Sequence, residues 1–323
     1  MLTILSNFWE RRLDTVRYPV ESRLYRTEPD VQVLMLTQRP VGEPRGEIVL
    51  IHGLEGSGEA GYMQTMAQAG LEAGYVVNRF HMRTCGGTAH LCKTLYHAGL
   101  TSDLLSVLRQ MRDEGRVPAH LVGYSLGGNV ALKLTGELGA AACHLIAGVC
   151  AVSTPIVLTE CARLLARPSN RIYERRFLKR MRGRVLTTGR FTVEQLLKPR
   201  SLFEFDDVIT APSFGFRGAE HYYETQSSRQ FLDRIRVPVL IIQAKDDIFI
   251  PFEIFDHPAV RNNPLVQLLV TEHGGHLGFI SRDSPRFWVD HAVVEWIRKI
   301  TAGNAESSKD AEVQFQINNR QGE

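Results

Sequence analysis

The chain has 323 residues, 44% of them hydrophobic, which is ample for a sizeable core. Its 38 basic and 35 acidic residues leave a formal charge of +3, too even a balance for a nucleic-acid binder. Five cysteines (Cys85, Cys92, Cys143, Cys150 and Cys161), an odd number with no C-x-x-C pair, read as reduced thiols of a cytoplasmic protein and argue against a zinc or disulfide framework.

In chain order, the N-terminal MLTILSNFWERRLD places its charges after a short apolar patch. That is the wrong order for a secretory signal, and a docked N-terminal segment is expected there. No apolar stretch reaches the roughly 18 residues a membrane span needs. Strands are expected at 31–36 and 47–51, then a helix at 62–73 and a strand at 75–78. Leu104, Leu105, Leu108 and Met111 recur with helical spacing, predicting a helix over 101–113. A strand at 120–124, a helix at 126–138 and a strand at 144–152 follow. Further on, strands at 239–242 and 266–270 and a closing helix at 287–300 complete the alternation. Buried strands alternating with helices predict an α/β fold, a mostly parallel sheet with helices on both faces.

Residues 155–230 break this rhythm. The stretch 161–200 holds twelve Lys/Arg against two acids, with Pro168, Pro199 and Pro212 punctuating the region. It reads as an inserted helical lid. The expected organisation is a core in two parts, 1–154 and 231–302, a cap over 155–230, and a disordered tail over 303–323. The basic run Arg171–Arg182 has an amphipathic pattern. It is compatible with peripheral contact to anionic lipid or an acidic substrate, or simply with a solvated face whose apolar side packs on the core.

The chemistry concentrates at Gly123-Tyr124-Ser125-Leu126-Gly127, a G-x-S-x-G turn between a strand and a helix. There Ser125 is expected in a strained conformation, with Gly123 and Gly127 clearing space for the neighbouring backbone. A serine hydroxyl needs a base, and the base needs an acid to hold its tautomer. Asp247 is the candidate acid, preferred over Asp246 because it lies further out on the turn after strand 239–242, four residues before Pro251. His276, preceded by Gly274 and Gly275, is the candidate base, with His273 as its competitor. A zinc site from His273 and His276 has no supporting ligand cluster. The expected oxyanion donors are the backbone N–H groups of Leu126 and of Leu54, in the loop His52-Gly53-Leu54-Glu55-Gly56-Ser57-Gly58. Losing one such donor costs about 3–4 kcal/mol of transition-state stabilisation. That loop lacks the G-K-[ST] ending of a phosphate cradle.

These motifs, with Arg83-Thr84-Cys85-Gly86-Gly87-Thr88, Tyr96-His97-Ala98-Gly99-Leu100-Thr101-Ser102-Asp103 and Gly274-Gly275-His276-Leu277-Gly278-Phe279, resemble the α/β-hydrolase superfamily. More narrowly they resemble its YheT-like branch, related to the animal abhydrolase-domain lipid hydrolases. The resemblance spans about Ile48 to Ile300. It implies a serine hydrolase of carboxylic esters, with Ser125, Asp247 and His276 as its triad, His52, Gly53, Gly123 and Gly127 supporting the motifs, and no metal or organic cofactor. It implies small-molecule or lipid esters as substrates. Three departures stand out. Thr84 replaces the first glycine of the usual R-G-C-x-G. The membrane-anchoring N-terminal helix of the animal relatives is missing, as is the H-x-x-x-x-D acyltransferase motif. Tyr96, His97 and Asp103 match a family feature that pins the loop before helix 101–113 or serves the site. Lipase, phospholipase and amidase chemistry, and a non-catalytic binding role on the same fold, are the competing readings.

Overall fold

The computed structural model describes residues 11–302. The expectations for the extreme N-terminus and for the tail fall largely or wholly outside the described residues. Eight strands form one sheet: β1 (Glu21–Glu28), β2 (Val31–Gln38), β3 (Glu47–Ile51), β4 (Val76–Phe80), β5 (Ala119–Tyr124), β6 (Ile146–Val152), β7 (Val239–Ala244) and β8 (Val266–Thr271). Their spatial order is β1-β2-β4-β3-β5-β6-β7-β8. The pairs β1/β2 and β2/β4 are antiparallel, and every other pair is parallel. This is an α/β-hydrolase fold.

The continuous apolar runs are explained by burial on both faces. In β3, Val49 and Ile51 enter one hydrophobic cluster while Ile48 and Leu50 enter another, and all four have no exposed surface. Each such side chain contributes about 1.5–3 kcal/mol of burial. Helices α1 (Gly61–Glu72) and α7 (residues 288–302) cover one face through Met63, Met66, Val293 and Ile297. Helices α2 (Ser102–Asp113) and α3 (Leu126–Leu138) cover the other through Leu104, Leu108, Val130 and Leu134.

Strand β1 carries no alternation in its sequence ESRLYRTE, and Tyr25 is its one buried residue. It exists because β2 offers a free antiparallel edge, with Glu21 opposite Thr37 and Arg26 opposite Gln32. Edge strands need only one buried anchor and otherwise tolerate charge.

Between β6 and β7 the chain forms α4 (Leu158–Leu165), α5 (Arg171–Thr187), α6 (Ala219–Gln226) and shorter helical turns. Leu165, Met181, Val185 and Phe205 of this segment belong to the same hydrophobic cluster as α2 and α3. Among the described residues no helix is long and apolar enough to cross a membrane, and all five cysteines are free thiols.

A buried charge pair staples the loop before α2. Arg83 Nε and Nη2 donate to the two oxygens of Asp103, each at 2.6 Å, and Nη2 also reaches Glu28 Oε1 at 2.8 Å. The Arg83 and Asp103 side chains are 2% and 4% exposed. Removing one partner of a buried pair leaves an uncompensated charge. Arg83→Met is therefore expected to destabilise the protein by about 3–5 kcal/mol in urea unfolding. A loss below about 1 kcal/mol, the level of an exposed pair, would contradict this account.

Candidate active site

Ser125 sits between the last residue of β5 and the first of α3 with φ 51° and ψ −122°. A non-glycine residue there carries strain of about 1–3 kcal/mol, held by the surrounding structure. The restraint comes from close backbone contact. The Ser125 N–H donates to Val152 O at 2.8 Å, and Ser125 O accepts from the Gly128 N–H at 2.9 Å. A Cβ at Gly123 would lie 2.5 Å from Gly127 O, and one at Gly127 would lie 2.3 Å from Ile51 O. Both obstacles are main chain and cannot swing aside, so glycine is required at both positions.

The loops after β7 and β8 bring two more side chains to this turn. His276 Nε2 lies 3.1 Å from Ser125 Oγ, and His276 Nδ1 lies 2.9 Å from Asp247 Oδ2. The Asp247 side chain has no exposed surface and that of His276 is 9% exposed. Asp247 Oδ1 also accepts from the N–H groups of Phe249 (2.9 Å) and Ile250 (3.2 Å), which fixes the carboxylate. A carboxylate cannot donate, so Nδ1 carries the ring proton and Nε2 is left to accept from the hydroxyl. Phe249 packs edge-on against the imidazole with ring centroids 4.8 Å apart.

The competitors have other positions. Asp246 Oδ1 accepts from the N–H groups of Gly274 (2.9 Å) and Gly275 (2.7 Å), holding the loop that carries His276. His273 is 82% exposed and lies 3.4 Å from Asp246. Among the described residues no group of three or more His, Cys, Asp or Glu is arranged to hold a metal.

The loop after β3 closes the other side. A Cβ on Gly53 would lie 3.1 Å from that of Ser125. The Gly53 N–H donates to the Tyr62 hydroxyl at 3.0 Å. His52 Nε2 accepts from the Met82 N–H at 3.1 Å, so its Nδ1–H donates to Gly53 O at 2.8 Å. Burial pushes the His52 pKa down to about 3, so this buried brace stays neutral. Leu126 is the first residue of α3, and its N–H cannot be satisfied within the helix. Leu54 and Leu126 line the same cavity as Ser125 and His276.

That cavity runs under the inserted helices and is mostly apolar, walled by Leu158, Leu165, Met181, Val185 and Phe205. A second groove reaches Ser125 and His276 from the side of Arg11, Arg176 and Arg180. Glu55, Thr84 and Arg184 also meet beside the cavity, a cluster that no sequence spacing indicates. Tyr96 and His97 line the cavity, whereas Asp103 lies in the Arg83 staple.

Residues 48–291 match the alpha/beta hydrolase family. The chain is 31% identical to YheT of Escherichia coli (strain K12) over 306 residues, covering 91% of this chain and 88% of that protein. It is 29% identical to phospholipase ABHD3 of Mus musculus over 249 residues, 75% of this chain and 60% of that longer protein. Among solved structures, the Pyrococcus furiosus esterase Pf2001 superposes with a TM-score of 0.60 at 18% identity, covering 91% of this chain and 94% of that one, a likeness of fold.

His97 supplies a pH test. Its ring packs against Phe214 and Phe216 with centroids 4.5 and 5.4 Å away, and Nδ1 accepts from the Gly99 N–H at 3.2 Å. Burial first, then the charges of Lys133 and Arg83, push its pKa from 6.5 down to about 3. In that window the unfolded chain binds a proton at this position and the folded chain does not. Its contribution to stability is therefore whole above 6.5 and is lost as pH falls toward 3. The stability advantage of the wild type over His97→Gln is expected to shrink on acidification through that window. A gap that is constant with pH would mean that the ring titrates as it does in the unfolded chain.

Proposed function

The chain belongs to the alpha/beta hydrolase family and to its YheT-like branch, and on that premise we propose that it is a serine esterase. Ser125 Oγ attacks the ester carbonyl while His276 Nε2 takes the hydroxyl proton. The C–O bond of the ester then breaks, the alcohol leaves with the proton from His276, and an acyl-serine remains. Water, deprotonated by His276, attacks the acyl-serine; the bond from the acyl carbon to Ser125 Oγ breaks, His276 returns the proton to Ser125 Oγ, and the carboxylic acid leaves. Asp247 keeps the imidazole in the tautomer this cycle needs and stabilises its charged form. The N–H groups of Leu54 and Leu126 hold the oxyanion in both steps.

The observation that carries this reading is the hydrogen-bonded run from Ser125 through His276 to Asp247, at the mouth of an apolar cavity. A cavity without catalysis would not require a strained serine or a histidine oriented by a buried carboxylate. The inserted helices act as a lid that excludes water and encloses the acyl chain. The apolar walls favour hydrocarbon acyl groups, so lipid esters stand as the second reading within the same chemistry.

Ser125→Ala is expected to fold with the circular dichroism of the wild type and to reduce hydrolysis of a short p-nitrophenyl ester to background, together with loss of fluorophosphonate labelling. Turnover retained by that variant would refute the assignment. A series of acyl lengths, run beside amide analogues, then separates esterase from lipase and amidase activity.

A further inference from the structure

Glu55 follows Leu54 in the loop after β3 and adopts the left-handed region, φ 54°. Its side chain, 4% exposed, faces Arg184 of α5, itself 11% exposed. Arg184 Nε and Nη2 both lie 2.8 Å from Glu55 Oε1, and Nη1 donates to Thr84 Oγ1 at 2.8 Å. The guanidinium also lies over the Tyr96 ring, 4.5 Å from its centroid. The Tyr96 hydroxyl accepts from the Glu55 N–H (3.0 Å) and donates to Glu55 Oε1 (3.2 Å). One side chain of the inserted segment thus grips the loop after β3, the loop after β4 and the approach to α2.

Thr84 gives a second, independent sign. It is a β-branched residue, yet its backbone is left-handed, φ 66°. A β-branched residue is costly in that region, and glycine would relieve the strain. What threonine supplies there is the hydroxyl that accepts from Arg184. Arg184 also lines the acyl cavity, where a free guanidinium would be read as a ligand for an anionic substrate. Its fork is occupied by Glu55 and Thr84 instead. A buried ion pair adds little net stability, so its use is better sought in fixing a conformation.

We propose that Arg184, acting through Glu55 and Thr84, is a positioning residue that fixes the loop carrying the Leu54 N–H, so that the oxyanion site is complete only when α5 is seated. The Leu54 N–H lies in the Gly53–Leu54 peptide plane, whose Gly53 O accepts from His52 Nδ1 (2.8 Å) and from the Gly56 N–H (3.0 Å). Glu55 sits between Leu54 and Gly56, so releasing its side chain loosens the turn that brings the Gly56 N–H to Gly53 O and with it the plane that orients the Leu54 N–H. The lid and the oxyanion site are then one mechanical unit. This rests on the esterase reading above for its catalytic consequence, but its structural content stands apart from it.

The test uses the full chain with Arg184→Met, Arg184→Lys, Thr84→Val and Thr84→Ser, and has two readouts. The first is hydrogen exchange at residues 53–58, where the Glu55, Gly56 and Gly58 amides are bonded to Tyr96 Oη, Gly53 O and His81 Nε2. Exchange is expected to speed up in Arg184→Met and Thr84→Val and to stay near wild type in Thr84→Ser. The second is ester kinetics. Arg184→Met is expected to lose roughly tenfold or more in kcat with KM little changed, a part of the 10²–10³ that a lost oxyanion donor costs. Thr84→Ser should retain turnover that Thr84→Val loses, and Arg184→Lys should fall between Arg184→Met and wild type. Unchanged exchange in both Arg184→Met and Thr84→Val, or a rise in KM at constant kcat, would overturn the proposal. Should Arg184→Met fail to fold, the Thr84 pair decides, because valine and serine there differ in whether a hydroxyl is kept. A wild type that turns over no ester would sink the esterase reading, while the exchange data would still judge this one.

Discussion

The close approach of main chain to main chain around Ser125 is the constraint from which the site follows. Three segments converge there: the turn from β5 to α3, the end of β3 and the start of the loop beyond it. The turn can enter that space only if Gly123 and Gly127 have no side chains, and its tight geometry holds Ser125 at positive φ. The strain is not released because the neighbouring strands β3 and β6 are pinned by their own ladders. A rigid, doubly covered sheet therefore underwrites the presentation of one hydroxyl.

The remaining groups reach the hydroxyl because parallel strands deliver their C-terminal ends to one edge. β3, β5, β7 and β8 run in one direction, so the loops carrying Leu54, Ser125, Asp247 and His276 emerge side by side. Three of these loops are then held by hydrogen bonds between backbone and polar side chains, buried for His52 and Asp247 and exposed for Asp246. His52 braces the first, Asp247 the third, and Asp246 the fourth. Neighbouring aspartates thus divide two tasks, one orienting the imidazole and the other shaping the loop that bears it.

The inserted helices share the hydrophobic cluster of the core and wall the cavity beside Ser125. Their apolar side packs inward, while Ile172, Arg175, Arg176 and Arg180 of α5 remain exposed. Arg184 differs from its basic neighbours because its turn of the helix faces Glu55. The basic composition of this segment therefore hides several kinds of arginine: those that meet water, Arg182, which donates to Pro199 O within the segment, and Arg184 and Arg190, which reach the loops of the core at Glu55, Thr84 and Lys93 O.

Apolar runs and helical spacing suffice to find β2 to β8 and the main helices; side chains buried on both sides of the sheet or along one face of a helix leave that pattern, and β8 is apolar in sequence although only its Val266 is buried. They cannot find β1, where a single buried Tyr25 leaves no pattern. Local chemistry was enough to single out Ser125, since the glycines around it answer a steric demand within one turn. It narrowed the acid and the base to adjacent or nearby pairs. Asp246 and Asp247 are chemically identical, and so are His273 and His276. Only the folded loops decide which ring meets the hydroxyl and which carboxylate meets that ring. The Glu55–Arg184–Thr84 contact was beyond reach of the sequence, because it joins residues 129 and 100 positions apart. Sequence determines what is local, the chain's periodic burial and the sterics of single turns. Tertiary structure alone decides which distant charges meet, because that depends on how loops of unrelated length come to rest at one edge of the sheet.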